Sequence, residues 1–126
     1  MGLDMSLMQR IKGQDFIEDP TDVELIYWRK ANAIHNFFVG NKNYKSCDHV
    51  PVTRDMLGQL LDKCTAILKD KSKAPEILPT TVGFFFGGIE YDQYYFDDIK
   101  RTIDKVVPIL SNGDFKDGDL YYYGWY

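Results

Sequence analysis

The stretch Gly83–Asp98 sets the terms on which the rest of the chain must fold. It crowds Phe84, Phe85, Phe86, Tyr91, Tyr94, Tyr95 and Phe96 around the pair Gly87-Gly88, with Glu90, Asp92, Asp97 and Asp98 threaded among them. A turn or a solvated helix has no use for so many rings, so they must fill a core, form a contact surface, or do both. A helical wheel divides them. From Tyr91–Asp92 to about Leu110 the spacing predicts a helix. Its inner face carries Tyr91, Tyr95, Phe96, Ile99, Ile103, Val106, Val107 and Leu110, and Gln93, Asp97, Lys100, Arg101, Asp104 and Lys105 lie outside. Pro108 on the outer face predicts a bend or an early end. Phe84–Phe86 reads as a buried extended segment, with Gly87-Gly88 as its turn. Left over as an outward strip are Glu90, Tyr94, Asp97 and Asp98, our candidate protein-binding residues.

Two further helices are expected. Thr21 or Asp22 suits the cap of a helix over residues 23–39, stopped by Gly40. On that helix Val23, Ile26, Tyr27, Ile34, Phe37 and Phe38 share an apolar side with Lys30 among them. The remaining face holds Trp28, Arg29, Asn32, His35 and Asn36. Those five are candidate ligand-binding residues: Arg29 for an anion, Trp28 for stacking and His35 as a base. Thr53 caps a helix to about Asp70, whose Met56, Leu57, Leu60, Leu61, Cys64, Ile67 and Leu68 form one apolar stripe. Pro75 and Pro79 break the segment that follows. Leu3, Met5 and Leu7 alternate, and Leu120–Tyr126 is rich in strand formers, so the two ends are expected to pair as strands. A short extended piece is expected before Thr53. The fold class is therefore α+β, with three helices packed on a small antiparallel sheet from the two termini, in a single domain over residues 1–126.

Charge narrows the partners. Residues 1–82 balance eleven acids against eleven Lys and Arg, whereas residues 83–126 carry eight acids and four bases, which accounts for the whole net charge of −4. The aromatic half is thus the negative half. That disfavours a phosphate backbone and suits a basic protein surface. Cys47 and Cys64 make no disulfide framework, and no apolar run is long enough to span a membrane, which points to the cytoplasm. Cys47-Asp48-His49, with His35 and Cys64, lacks zinc spacing. The acids of 90–98 lack an EF-hand pattern, and no phosphate-binding or nucleophile motif occurs. No metal or cofactor is expected.

The start Met1-Gly-Leu-Asp-Met5, the segment Tyr27-Trp-Arg-Lys-Ala-Asn-Ala-Ile-His-Asn36, the segment Leu78-Pro-Thr80 with Gly83-Phe-Phe-Phe-Gly87 and Tyr91-Asp-Gln-Tyr-Tyr95, and the aromatic C-terminus resemble a family of small phage and prophage proteins of unassigned function. The chain departs from that family in being short between its first strand and residue 23. The resemblance implies a viral or mobile-element accessory protein in a bacterial host. It carries over no catalytic residues. Two readings follow. One is a non-enzymatic factor that binds a host or phage protein, as an inhibitor of a host process or of a defence system such as CRISPR immunity. The alternative is a small-ligand or nucleotide-binding protein using the polar face of the helix over 23–39.

Overall fold

The computed structural model describes residues 3–10, 22–40, 44–81, 90–113, 115 and 118–126. The described elements run β1 (Asp4–Gln9), β2 (Val23–Arg29), α1 (Asn32–Val39), β3 (His49–Val52), α2 (Arg54–Lys69), a 3-10 turn (Lys71–Lys73), α3 (Ala74–Ile77), α4 (Gln93–Asn112) and β4 (Leu120–Trp125). The strands form one antiparallel sheet in the order β2-β1-β4-β3. The class is α+β, as the sequence implied, with four helices among the described residues instead of three.

The two chain ends do pair. β1 lies antiparallel to β4, with Asp4 opposite Trp125 and Gln9 opposite Leu120. Alternation decides which side chains go inward. Leu3, Met5, Leu7, Leu120 and Tyr122 point to the core, joined by Val50 and Val52 of β3. The described helices pack on that face, and on the opposite face Ser6 and Tyr121 are buried as well, while Tyr27 and Trp125 are exposed.

The expected helix over 23–39 is corrected. Its first half is β2 and only its second half is helical. The apolar spacing in this stretch satisfies both periods, and pairing with a distant partner decides between them. β1 has a second edge, and Val23–Arg29, rich in branched and aromatic residues, fills it with Ser6 opposite Tyr27 and Met5 opposite Trp28. The break comes at Lys30, which turns in the left-handed region at φ 57° while its N–H donates to the Leu3 carbonyl at 2.7 Å. Lysine is an uncommon residue there, and no glycine or asparagine marks the turn. α1 then starts without a side-chain cap and ends at Gly40, the stop anticipated.

α2 and α4 follow their local signals closely. Thr53 Oγ1 accepts from the Met56 N–H at 3.1 Å, and Asp92 Oδ1 accepts from the Tyr95 N–H at 3.1 Å. α4 runs through Pro108 to Asn112, so the early end does not occur. Buried Val106 and half-buried Ile109 hold the turns on either side of the proline. Val107, expected inside, is exposed. Phe84–Phe86 and Gly87-Gly88 lie outside the described residues.

The core centres on Trp28, which is fully buried. Its indole N–H donates to Thr102 Oγ1 at 2.9 Å, and that hydroxyl donates to the Asp98 carbonyl at 2.7 Å. β2 is thereby tied to the middle of α4. Phe38 stacks on Tyr122 at 4.5 Å and 12°, so α1 is clamped against β4. Cys64 is buried among these helices, and burial pushes its thiol up to about 12. Among the described residues no helix is long and apolar enough to cross a membrane.

Candidate functional site

Strand alternation and helical phase together leave a gap between β2–α1 and α4. β2 buries Trp28 and turns Arg29 outward. The left-handed turn at Lys30 then brings the start of α1 beside α4. α4 buries Tyr95 and Ile99 and carries Tyr94, Asp97, Asp98 and Arg101 on the flank of that inner stripe. The result is a cleft of about 420 Å3. One wall is the run Arg29–Ile34. The other is α4 from Tyr94 to Arg101, with Glu90 and Asp92 at its entry and Thr80 beside them.

The side chains in the cleft are unevenly tied down. Asn32 is buried, and its Oδ1 accepts from the Thr81 N–H at 3.0 Å. Asp97 accepts from Gln93 Nε2 at 2.7 Å. Tyr94 is 80% exposed and stands clear of the helix surface. Asp98 is half-buried; burial pushes its carboxyl up to about 6, Asp97 and Asp92 add to the rise, and Arg101 opposes it. A carboxyl so shifted, inside a cleft, marks a candidate binding position. Among the described residues the side chains of Arg29 and Arg101 make no hydrogen bond or ion pair, although four carboxylates line the same cleft.

Arg29, Asn32, Glu90, Tyr94, Asp97 and Asp98 therefore meet in one place, although the sequence assigned them to two separate surfaces. Three candidates do not join them. Trp28 is core and offers no stacking face, because strand geometry turns it inward. His35 is also buried, with Nδ1 2.5 Å from the Tyr122 hydroxyl and the Tyr126 ring edge-on at 5.3 Å. Burial lowers it to about 4, so it is a neutral core imidazole without the exposure a general base requires. Gly124 makes room for it, since a Cβ there would sit 3.0 Å from the Tyr122 hydroxyl and 3.4 Å from His35 Nδ1. Asn36 lies half-buried farther along α1 and outside the cleft, where its carbonyl accepts from the Gly40 N–H at 2.7 Å.

The sequence reading passed over two features. Lys30 and Arg101 line the cleft, and Arg101 was legible as an outer residue one turn past Asp97. The second is the other face of the sheet, where Tyr121, Tyr123 and Trp125 of β4 alternate with the core residues; Tyr121 is buried there and Trp125 is exposed. His49 stacks on Tyr121 at 4.2 Å, and Arg10 sits 4.6 Å over the same ring. Alternation within Leu120–Trp125 carried that signal. Among the described residues no three His, Cys, Asp or Glu side chains are grouped to hold a metal ion. The chain matches no protein-family model, no curated protein and no solved structure.

Proposed function

We propose that the protein is a phage- or prophage-encoded accessory factor. It binds a protein in the cytoplasm of a bacterial host, against a host process or a defence system such as CRISPR immunity. The observation that carries the binding role is Tyr94, 80% exposed beside Glu90, Asp97 and Asp98 at the cleft. An exposed tyrosine supplies a rigid anchor at low entropic cost, and the surrounding acids steer a basic partner toward it. The viral setting is supported by the sequence resemblance alone. The test is retention from bacterial lysate on the immobilised protein. A protein held by the wild type and lost with Tyr94→Ala supports the reading. Equal retention by both, or nothing above background, contradicts it.

A second reading, small-ligand or nucleotide binding, is supported by the entry of Arg29 and Asn32 into a cleft whose volume falls in the range of small-molecule pockets. A thermal-shift screen with nucleotides tests it. A rise in Tm that Arg29→Ala removes is the supporting result, and an unchanged Tm across the series removes the reading.

A further inference from the structure

We infer that two copies of the chain associate face to face through the side of the sheet turned away from the helices, about a two-fold axis that crosses the strands at the level of Leu7. The inference is independent of the cleft and goes beyond the function proposed above.

Register fixes which residues share a level on that side. Along β1 the outward residues are Asp4, Ser6 and Met8, followed by Arg10, whose N–H donates to the Asp119 carbonyl at 2.8 Å and extends the β1–β4 pairing by one residue. Along β2, Arg29 is opposite Asp4, Tyr27 opposite Ser6 and Glu24 opposite Met8, with the register shifting at Leu25. Ser6 Oγ donates to Glu24 Oε2 at 2.6 Å, so the irregularity leaves Glu24 on the outward side. One step further, Asp22 comes level with Arg10. Both reach Tyr121: Arg10 lies 4.6 Å over its ring, and Asp22 accepts from its hydroxyl at 2.7 Å. Trp125 is level with Asp4, and Tyr123 with Ser6.

Charge on this side is therefore ordered strand by strand, in opposite senses on neighbouring strands. β1 begins with an acid, Asp4, and is followed by a base, Arg10. β2 is preceded by Asp22, carries Glu24 near its start and ends with Arg29, and it runs the other way. Arg10 and Arg29 are exposed, and Asp4 and Asp22 are half-buried. Among the described residues none of these four is in an ion pair. A two-fold axis in the plane of contact, perpendicular to the strands at Leu7 and Tyr122, lays each strand antiparallel over its own copy. Asp4 then faces Arg10 of the second copy and Arg29 faces Asp22 of the second copy, and symmetry makes each pair twice. Tyr27, 40% exposed, and Trp125, 44% exposed, are withdrawn from water between these pairs. The other face-to-face two-fold has its axis along the strands and sets β1 over β4 and β2 over β3. The outward residues there are Tyr121, Tyr123, Trp125, His49 and Pro51, which offer no acid, lysine or arginine to match. Charge complementarity thus selects a second copy in the first arrangement.

Four strands about 4.8 Å apart and six steps of about 3.3 Å make a patch of roughly 15 by 20 Å. That is well under the about 800 Å2 a side of a standard interface, so the dimer is weak and forms as concentration rises.

The experiment is sedimentation equilibrium of the full chain from about 10 μM to about 1 mM. The wild type should move from monomer toward dimer across that series, less so at high salt. Asp4→Arg and Arg10→Asp each set like charges against each other and should weaken association at least about tenfold. An equimolar mixture of the two variants should recover it, as should one chain carrying both substitutions, because every facing pair is again opposite in sign. Circular dichroism checks that each variant is folded. Trp125→Ala, at an exposed position that makes no side-chain hydrogen bond among the described residues, should weaken association without either charge change. A wild type that stays monomeric, association indifferent to the single reversals, or no recovery in the mixture overturns the inference. Should a reversal variant fail to fold, a dimer left intact by Trp125→Ala overturns it as well. Tyr94→Ala lies outside this face and should leave association unchanged, so loss of a lysate partner and loss of the dimer are read separately.

Discussion

Trp28 and Arg29 are neighbours in the chain and opposites in environment. On the core side, Trp28 is fully buried with its one polar atom hydrogen-bonded, and His35 lies against the Tyr122 hydroxyl. On the cleft side, Arg29 and Arg101 make no hydrogen bond or ion pair among the described residues, and Tyr94 projects outward. Both regions are built from the same stretch and the same helix. Core and cleft thus alternate residue by residue along one strand, not in separate parts of the molecule, and the binding role proposed above would fall on the cleft residues. Polar groups at the core are answered inside the protein, whereas at the cleft Asn32, Asp92 and Asp97 are answered and Arg29 and Arg101 have no hydrogen bond or ion pair among the described residues.

The sharpest way to break this division is to exchange the effects of its two sides. Trp28→Ala should cost about 4 kcal/mol in chemical denaturation, because it empties the centre of the core and strands Thr102. Arg29→Ala should stay within about 0.5 kcal/mol of the wild type. A large loss at Arg29 would mean that the cleft wall is structural.

His35 gives the next largest effect. In the folded protein burial holds it at about 4, below its ordinary 6.5. The unfolded chain therefore takes up the proton first, and the contribution of His35 is full above pH 6.5 and lost as pH falls toward 4. The loss should approach about 3 kcal/mol. His35→Phe should be less stable than the wild type at pH 7.5 yet lose less on acidification. Equal losses in the two proteins would place His35 in contact with water.

Asp98 should behave with the opposite sign. Its folded carboxyl is raised to about 6, from 3.8, chiefly by burial, so its cost to stability sets in as pH rises past 3.8 and is full above about 6. Asp98→Asn should gain about 1–2 kcal/mol at pH 7.5 and nothing well below pH 3.8. That gain, together with weaker binding of a basic ligand, is the pattern of a residue kept for contact at the expense of the fold. A loss of stability at pH 7.5 would move Asp98 to the structural side.

The legible parts of the fold were those set by nearby residues. Thr53 announces α2 because caps are local, helical spacing announces α4, and Leu3, Met5 and Leu7 announce β1 by simple alternation. β2 was not legible. Ile26, Tyr27 and Trp28 suit a helix as well as a strand, and what settles them is the edge of β1, far away in sequence and close in space. Lys30, holding a left-handed turn without a glycine, hid the boundary. At the site, Glu90, Tyr94, Asp97 and Asp98 were readable from helical phase. Arg29 and Asn32 stand out only by their chemistry, in a stretch that is half strand and half helix. That the two groups share one cleft depends on β2 reaching α4 through Trp28 and Thr102, and no local pattern encodes that contact.

If the two walls of the cleft form one docking site for a basic partner, a backbone amide chemical-shift titration with an end-capped arginine-containing pentapeptide shows it most directly. Perturbations grouped on residues 29–34 and 90–101, on both walls at once, are the expected result. Perturbations grouped instead around Tyr123 and Trp125 on the other face of the sheet, or confined to one wall, would contradict it.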